Sequence, residues 1–247
     1  MDREKILANC HLLLKAYSQG DLGQTRMPED SNPGFLDKEQ ELRLTYFTLP
    51  MSLNYQRDSY KLWEAALKTF NDPETQVAFD VQKTAELPVI ELREKLMRYK
   101  LALQPNKHIS IWQTLSTTFV SKWGSVLGLM SACDNDYLKL RQLVQVEHKK
   151  EFPYLSGPKI FNYWSFILKQ YGKIDLKNYG AIEIAPDTHI TQASVKLGII
   201  TEKEAVSLTK DQISLRWREL LNGSGIHPID MHPPLWFWSR NEFMFKL

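Results

Sequence analysis

Cysteine is nearly absent from this chain: Cys10 and Cys133 are the only two in 247 residues. A four-cysteine iron–sulfur cluster is thereby excluded, and so is a disulfide-stapled scaffold. The start Met1-Asp2-Arg3-Glu4-Lys5 lacks a signal-peptide pattern, so two reduced, partly buried thiols and a cytoplasmic location are expected. Long apolar runs are missing too. Leu12-Leu13-Leu14 is short, and no stretch approaches the roughly 18 residues of a membrane span, so no membrane partner is expected. Nor does one sign of charge dominate: 31 Lys and Arg stand against 29 Asp and Glu. A net charge of +2 does not by itself announce a nucleic-acid partner. Solenoid repeats and low-complexity tracts are absent, and alternating strand-like patterns are scarce.

What the chain does have is helical periodicity. Ile6, Leu7, Cys10, Leu13, Leu14 and Tyr17 share one spacing, and Leu62, Ala65, Ala66 and Phe70 another. Further helical runs are predicted over about 74–84, 90–101, 109–122 and 137–149, separated by turn-forming stretches such as Asn71-Asp72-Pro73 and Asp134-Asn135-Asp136. The predicted fold class is all-α. Residues 18–37, with three glycines and two prolines, read as a long irregular connection. Between Lys139 and Lys177 eight basic residues face three acidic ones, so the mild overall charge conceals a basic segment.

Inside that segment Leu155-Ser156-Gly157-Pro158-Lys159 forms a turn running into a helix whose apolar face begins at Ile160 and Phe161. Backbone N–H groups in such a turn, here those of Ser156 and Gly157, can meet a DNA phosphate, as can the nearby Lys149 and Lys150, and a helix N-terminus favours the same anion. On local chemistry alone Lys159 reads as a surface lysine starting a helix. The second element is Ala185-Pro186-Asp187-Thr188-His189, where Asp187 is placed as an N-cap. Capping does not prevent the same carboxylate from stabilising positive charge on a sugar.

Together, Leu-Ser-Gly-Pro-Lys opening one helix, Pro-Asp-Thr-His opening the next and Lys196-Leu197-Gly198 after it resemble the helix-hairpin-helix and Gly/Pro-Asp signature of the endonuclease III superfamily of DNA glycosylases. The hairpin is two residues shorter than the usual form and has one glycine fewer. Lys159 and Asp187 are 28 positions apart, more than in endonuclease III. Both features are similar to the archaeal-type 8-oxoguanine glycosylase branch, which has no iron–sulfur cluster. The resemblance implies two helical subdomains flanking a DNA-binding cleft: residues 1–40 with 180–247, and a middle barrel of 41–179 carrying the hairpin at about 137–171. It also implies a reaction. The Lys159 amine attacks C1′ of a damaged nucleoside, Asp187 stabilises the oxocarbenium-like sugar and moves protons, and the Schiff base left on the lysine can undergo β-elimination.

A glycosylase holds its extruded base between flat side chains and reads its edge. The resemblance nominates Trp236, with His232 four positions before it where the branch has Asp, and Asp230 as a substitute. It also nominates Gln56 in Asn54-Tyr55-Gln56 and Trp63 in the following helix. Core packing for Trp236 and a surface amide for Gln56 are the plain alternatives. His227, Asp230 and His232 have spacings that fit no common metal site, so neither metal nor cofactor is expected. The expected activity is a bifunctional glycosylase/lyase for an oxidised purine such as 8-oxoguanine, acting as a monomer on double-stranded DNA that contains a damaged base. A glycosylase for another lesion and a non-catalytic helix-hairpin-helix DNA-binding protein are the alternatives.

Overall fold

A computed structural model describes residues 2–23 and 25–247. Its described residues form helices and turns with no strand, so the fold is all-α; an isolated parallel bridge joins Asp136 and Lys177. No helix among them is long and apolar enough to cross a membrane. The chain divides into two compact units, Met1–Met27 with Tyr179–Leu247, and Pro28–Asn178.

In chain order, α1 is Arg3–Gln19 in the first unit. The second unit holds α2 Gln40–Thr48, α3 Ser59–Asn71, α4 Val81–Glu86, α5 Val89–Arg98, α6 Lys107–Trp123, α7 Val126–Ala132, α8 Tyr137–Arg141 and α9 Pro158–Gln170. The chain returns to the first unit with α10 Thr188–Lys196, α11 Glu202–Ser207, α12 Lys210–Leu221 and α13 His232–Arg240. The run expected over 74–84 is broken in two, because Asp80 leaves helical geometry and accepts from the Lys83 N–H to start α4. The helix expected over 137–149 begins as α8 and widens into a π-helical stretch at Gln142–Glu147.

The second unit is built on aromatic packing. Tyr46, Phe47, Trp63, Phe70 and Phe79 interlock at ring separations of 5.1–5.7 Å, in edge-to-face, tilted and stacked pairs. The buried indoles of Trp112 and Trp164 donate to the Ala78 carbonyl at 2.9 Å and to Thr48 Oγ1 at 3.0 Å, so neither N–H is left without an acceptor. The segment 28–40, expected to join the chain ends, belongs to this unit. Phe35 packs on Tyr46 and Phe70, Ser31 accepts from the Tyr46 hydroxyl at 2.7 Å, and Glu29 is fully buried against Tyr163. The boundary therefore falls at residue 28.

In the first unit α13 packs on α1 and α10. Cys10, Leu13, Ile190, Ala193, Trp217 and Leu235 are buried there, and the Trp217 indole donates to Ser194 Oγ at 2.8 Å. Arg3 fastens α1 to the end of α12 through the Leu220 and Asn222 carbonyls. Both cysteines are free and buried; burial pushes the Cys10 thiol up to about 12, which makes it inert.

Candidate functional site

The residues nominated from the sequence fall in both units, and each set has its own local logic.

In the second unit Lys159 is the second residue of α9. Pro158 starts that helix, where a missing N–H costs nothing. The helix is anchored by buried Phe161, Trp164, Ile167 and Leu168, and by Asn162, whose Oδ1 accepts from the Tyr137 hydroxyl at 2.9 Å. Lys159 points the other way: it is exposed, and among the described residues it makes no side-chain hydrogen bond or ion pair. The turn before it is closed on itself. The Ser156 N–H donates to the Phe152 carbonyl at 3.0 Å and the Gly157 N–H to the Tyr154 carbonyl at 3.0 Å, while Ser156 Oγ donates to the Lys149 carbonyl at 3.2 Å. This corrects the expectation for Ser156 and Gly157, whose donors are already used. The backbone donors still open to an anion are the N–H groups of Lys159 and Ile160, since the Phe161 N–H already bonds to Gly157.

Lys149 and Lys150 are exposed in a short 3-10 turn at Lys149–Glu151. Glu151, the acidic residue of that turn, pairs with Lys122 at 3.1 Å and lies 3.7 Å from His148. Neither Lys149 nor Lys150 joins an ion pair among the described residues, so this turn presents uncompensated positive charge.

Gln56 is exposed with φ of 51°, a left-handed conformation unusual for a residue with a side chain. Trp63 departs from its expected role. It is fully buried between Tyr46 and Phe47 and belongs to the core, so it cannot stack on a base without the unit opening. Its neighbour Glu29, which sequence reasoning passed over, is also fully buried. Burial pushes the Glu29 carboxyl up to about 7, against the opposing influence of hydrogen bonds from its own backbone, from Tyr163 at 3.2 Å and from the nearby Trp63 indole. The Trp63 contact falls short of good hydrogen-bond geometry, and Nε1 has no partner that meets it among the described residues.

In the first unit Asp187 caps α10. Its Oδ1 accepts from the Ile190 N–H at 2.9 Å, and its carbonyl accepts from the Thr191 N–H at 3.0 Å and the Thr191 hydroxyl at 2.6 Å. Asp187 is half-buried, and its Oδ2 has no hydrogen-bond partner among the described residues. One oxygen therefore holds the helix and the other is available. Two residues on, His189 meets Ser239 Oγ through Nδ1 at 3.1 Å and the Trp236 ring edge to face at 5.6 Å. The start of α10 is thus tied to the half-buried Trp236 on α13, whose ring also carries the Arg240 guanidinium at 4.9 Å. The sequence names His189 only as part of the capping segment, because its partners Trp236 and Ser239 lie some 50 positions away. His232 is buried at the first position of α13. Asp230 accepts from the Tyr179 hydroxyl at 2.5 Å, and Tyr179 packs edge to face on His227.

No protein-family model matches the chain, and no curated protein matches it either.

Proposed function

We propose that the protein is a base-excision DNA glycosylase with lyase activity, in which Lys159 is the nucleophile. The observation that carries this reading is the state of Lys159. It is an exposed amine without a partner among the described residues, at the start of a firmly anchored helix, next to two open backbone N–H groups and to the exposed Lys149 and Lys150. Phosphate contacts through those donors and lysines would bring the strand to the amine.

In the proposed step the neutral Lys159 amine forms a bond to C1′ and gives up a proton, relayed through Asp187, while the electron pair of the glycosidic bond leaves with the base, which takes up that proton. Asp187, with one oxygen uncommitted, stabilises the positive charge growing on the sugar. The C1′–O4′ bond then breaks, with O4′ taking up the remaining nitrogen proton, to leave a Schiff base on Lys159, and loss of a proton from C2′ breaks the C3′–O3′ bond and expels the 3′-phosphate. Trp236, Asp230 and His232 are the proposed base contacts, with Gln56 at the lesion; Trp63 is not among them. The proposed substrate is an oxidised purine in duplex DNA, 8-oxoguanine first, and the proposed acting species is a monomer.

Base release from a panel of duplexes, each with one lesion, tests the reading. Wild type should release an oxidised purine and Lys159→Gln should not. Tight duplex binding without release from any lesion would instead assign the hairpin to a non-catalytic DNA-binding protein.

A further inference from the structure

The loop carrying Gln56 and the turn before Lys159 are joined by a contact that the proposed chemistry does not use. The rings of Tyr55 and Tyr154 are stacked with centroids 4.0 Å apart and planes inclined by 10°. Tyr154 has φ of 62°, a left-handed conformation that costs a residue with a Cβ about 1 kcal/mol or more, so the surrounding structure holds the ring in place.

The Tyr55 side of the stack is rigidly mounted. Arg57 donates to the Leu101 and Lys100 carbonyls at 2.8 and 3.2 Å, and the Tyr55 ring meets His108 edge to face at 5.6 Å. His108 Nδ1 accepts from the Leu103 N–H at 3.1 Å, so Nε2 carries the ring proton. His108 Nε2 and Arg57 Nε are both buried donors with no acceptor among the described residues, and they make the surroundings of the stack electropositive.

Lys107 adds an exposed cation. Its Nζ is 5.2 Å from the Tyr55 centroid and 4.8 Å from that of Tyr154. With the rings only 4.0 Å apart, such near-equal distances place the ammonium beside the rims and not over an outer face. There it holds the Tyr154 phenol below the usual tyrosine range through a hydrogen bond. The outer face of Tyr154 is left uncovered by any cation, and this partly exposed ring has no aromatic neighbour besides Tyr55 among the described residues.

A half-exposed aromatic ring with a cation at its rim matches a nucleotide: the base stacks on the ring and the phosphate meets the ammonium. We infer that Tyr154, backed by Tyr55 and flanked by Lys107, is a stacking platform for an unpaired base of a DNA strand, separate from the base contacts proposed above. The inference rests on the reading that the partner is DNA, but not on Lys159 being a nucleophile.

Binding of undamaged, single-stranded oligothymidylate by the full chain, followed by fluorescence anisotropy over a range of salt, tests it. Tyr154→Gly removes the ring while suiting the left-handed backbone, so the fold should survive, as a melting curve will check. Its affinity should fall by roughly 5- to 150-fold, the range that base–aromatic stacking supports, and Tyr154→Phe should stay within about twofold of wild type. Lys107→Ala should lower the slope of log affinity against log salt by about 0.7, the value for one phosphate on a single strand. Unchanged affinity in a folded Tyr154→Gly, equal losses in the Gly and Phe variants, or no oligothymidylate binding by wild type would each overturn the platform. Because the strand carries no lesion and Lys159 is untouched, none of these results bears on the glycosylase chemistry.

Discussion

Replacing Glu29 by glutamine isolates the cost of burying an ionisable acid in the second unit. The carboxyl titrates near 7 in the folded protein against an ordinary value of 4.5. In the window between them the folded state binds more protons than the unfolded one. Wild type therefore has its full Glu29 contribution below the lower value and loses it as pH rises through the upper one. At about 1.4 kcal/mol per unit, the loss is on the order of 3 kcal/mol. His108 works in the opposite direction: burial, with Arg57 and Lys107 nearby, lowers it to about 4, so its contribution is lost as pH falls below the ordinary histidine range. Comparing variant with wild type cancels that histidine contribution. Melting temperatures of both proteins should therefore be measured from about pH 4 to about pH 8, where Glu29→Gln should gain on wild type by roughly 6–12 °C, at about 2–4 °C per kcal/mol. Melting curves that stay parallel across the whole range would refute the burial argument.

Three further outcomes follow from the local geometry. Asp187→Asn keeps an N-cap of similar strength, so thermal stability should change by less than about 1 kcal/mol while base release collapses; joint retention of both would remove Asp187 from the chemistry. Trp63→Ala should destabilise the second unit by about 3–5 kcal/mol in denaturant melts, as expected for a core tryptophan. A near-native melt with altered lesion preference would return Trp63 to the base pocket. Lys149→Ala with Lys150→Ala should weaken binding to undamaged and damaged duplexes alike and lower the salt slope by about 0.9 for each phosphate that is no longer neutralised; an unchanged slope would mean that neither lysine meets a phosphate.

The helices were legible because their buried faces repeat at helical spacing, and the two nominated turns because their punctuation is local. Gly157-Pro158 starts α9 with Lys159 in its first turn, and Asp187 caps α10, both within a few residues of chain. What could not be read is what depends on distant partners. Glu29 is separated from Tyr163 by 134 positions, and Tyr154 from Tyr55 by nearly a hundred, so neither burial nor stacking leaves a mark on the nearby sequence. Trp63 shows the same difficulty from the other side: its spacing fits a helix face, but only the packing of Tyr46 and Phe47 shows that this face is core. The donors of Ser156 and Gly157 were misjudged because this turn spends its own N–H groups on the Phe152 and Tyr154 carbonyls.

Borohydride trapping of the Schiff base tests the role of Lys159 most directly. Wild type mixed with lesion-containing duplex and borohydride should become covalently joined to the DNA, and Lys159→Gln should give no adduct while keeping its melting temperature. Base release by wild type without any trapped complex, or trapping that survives in Lys159→Gln, would contradict the assignment of this lysine as nucleophile.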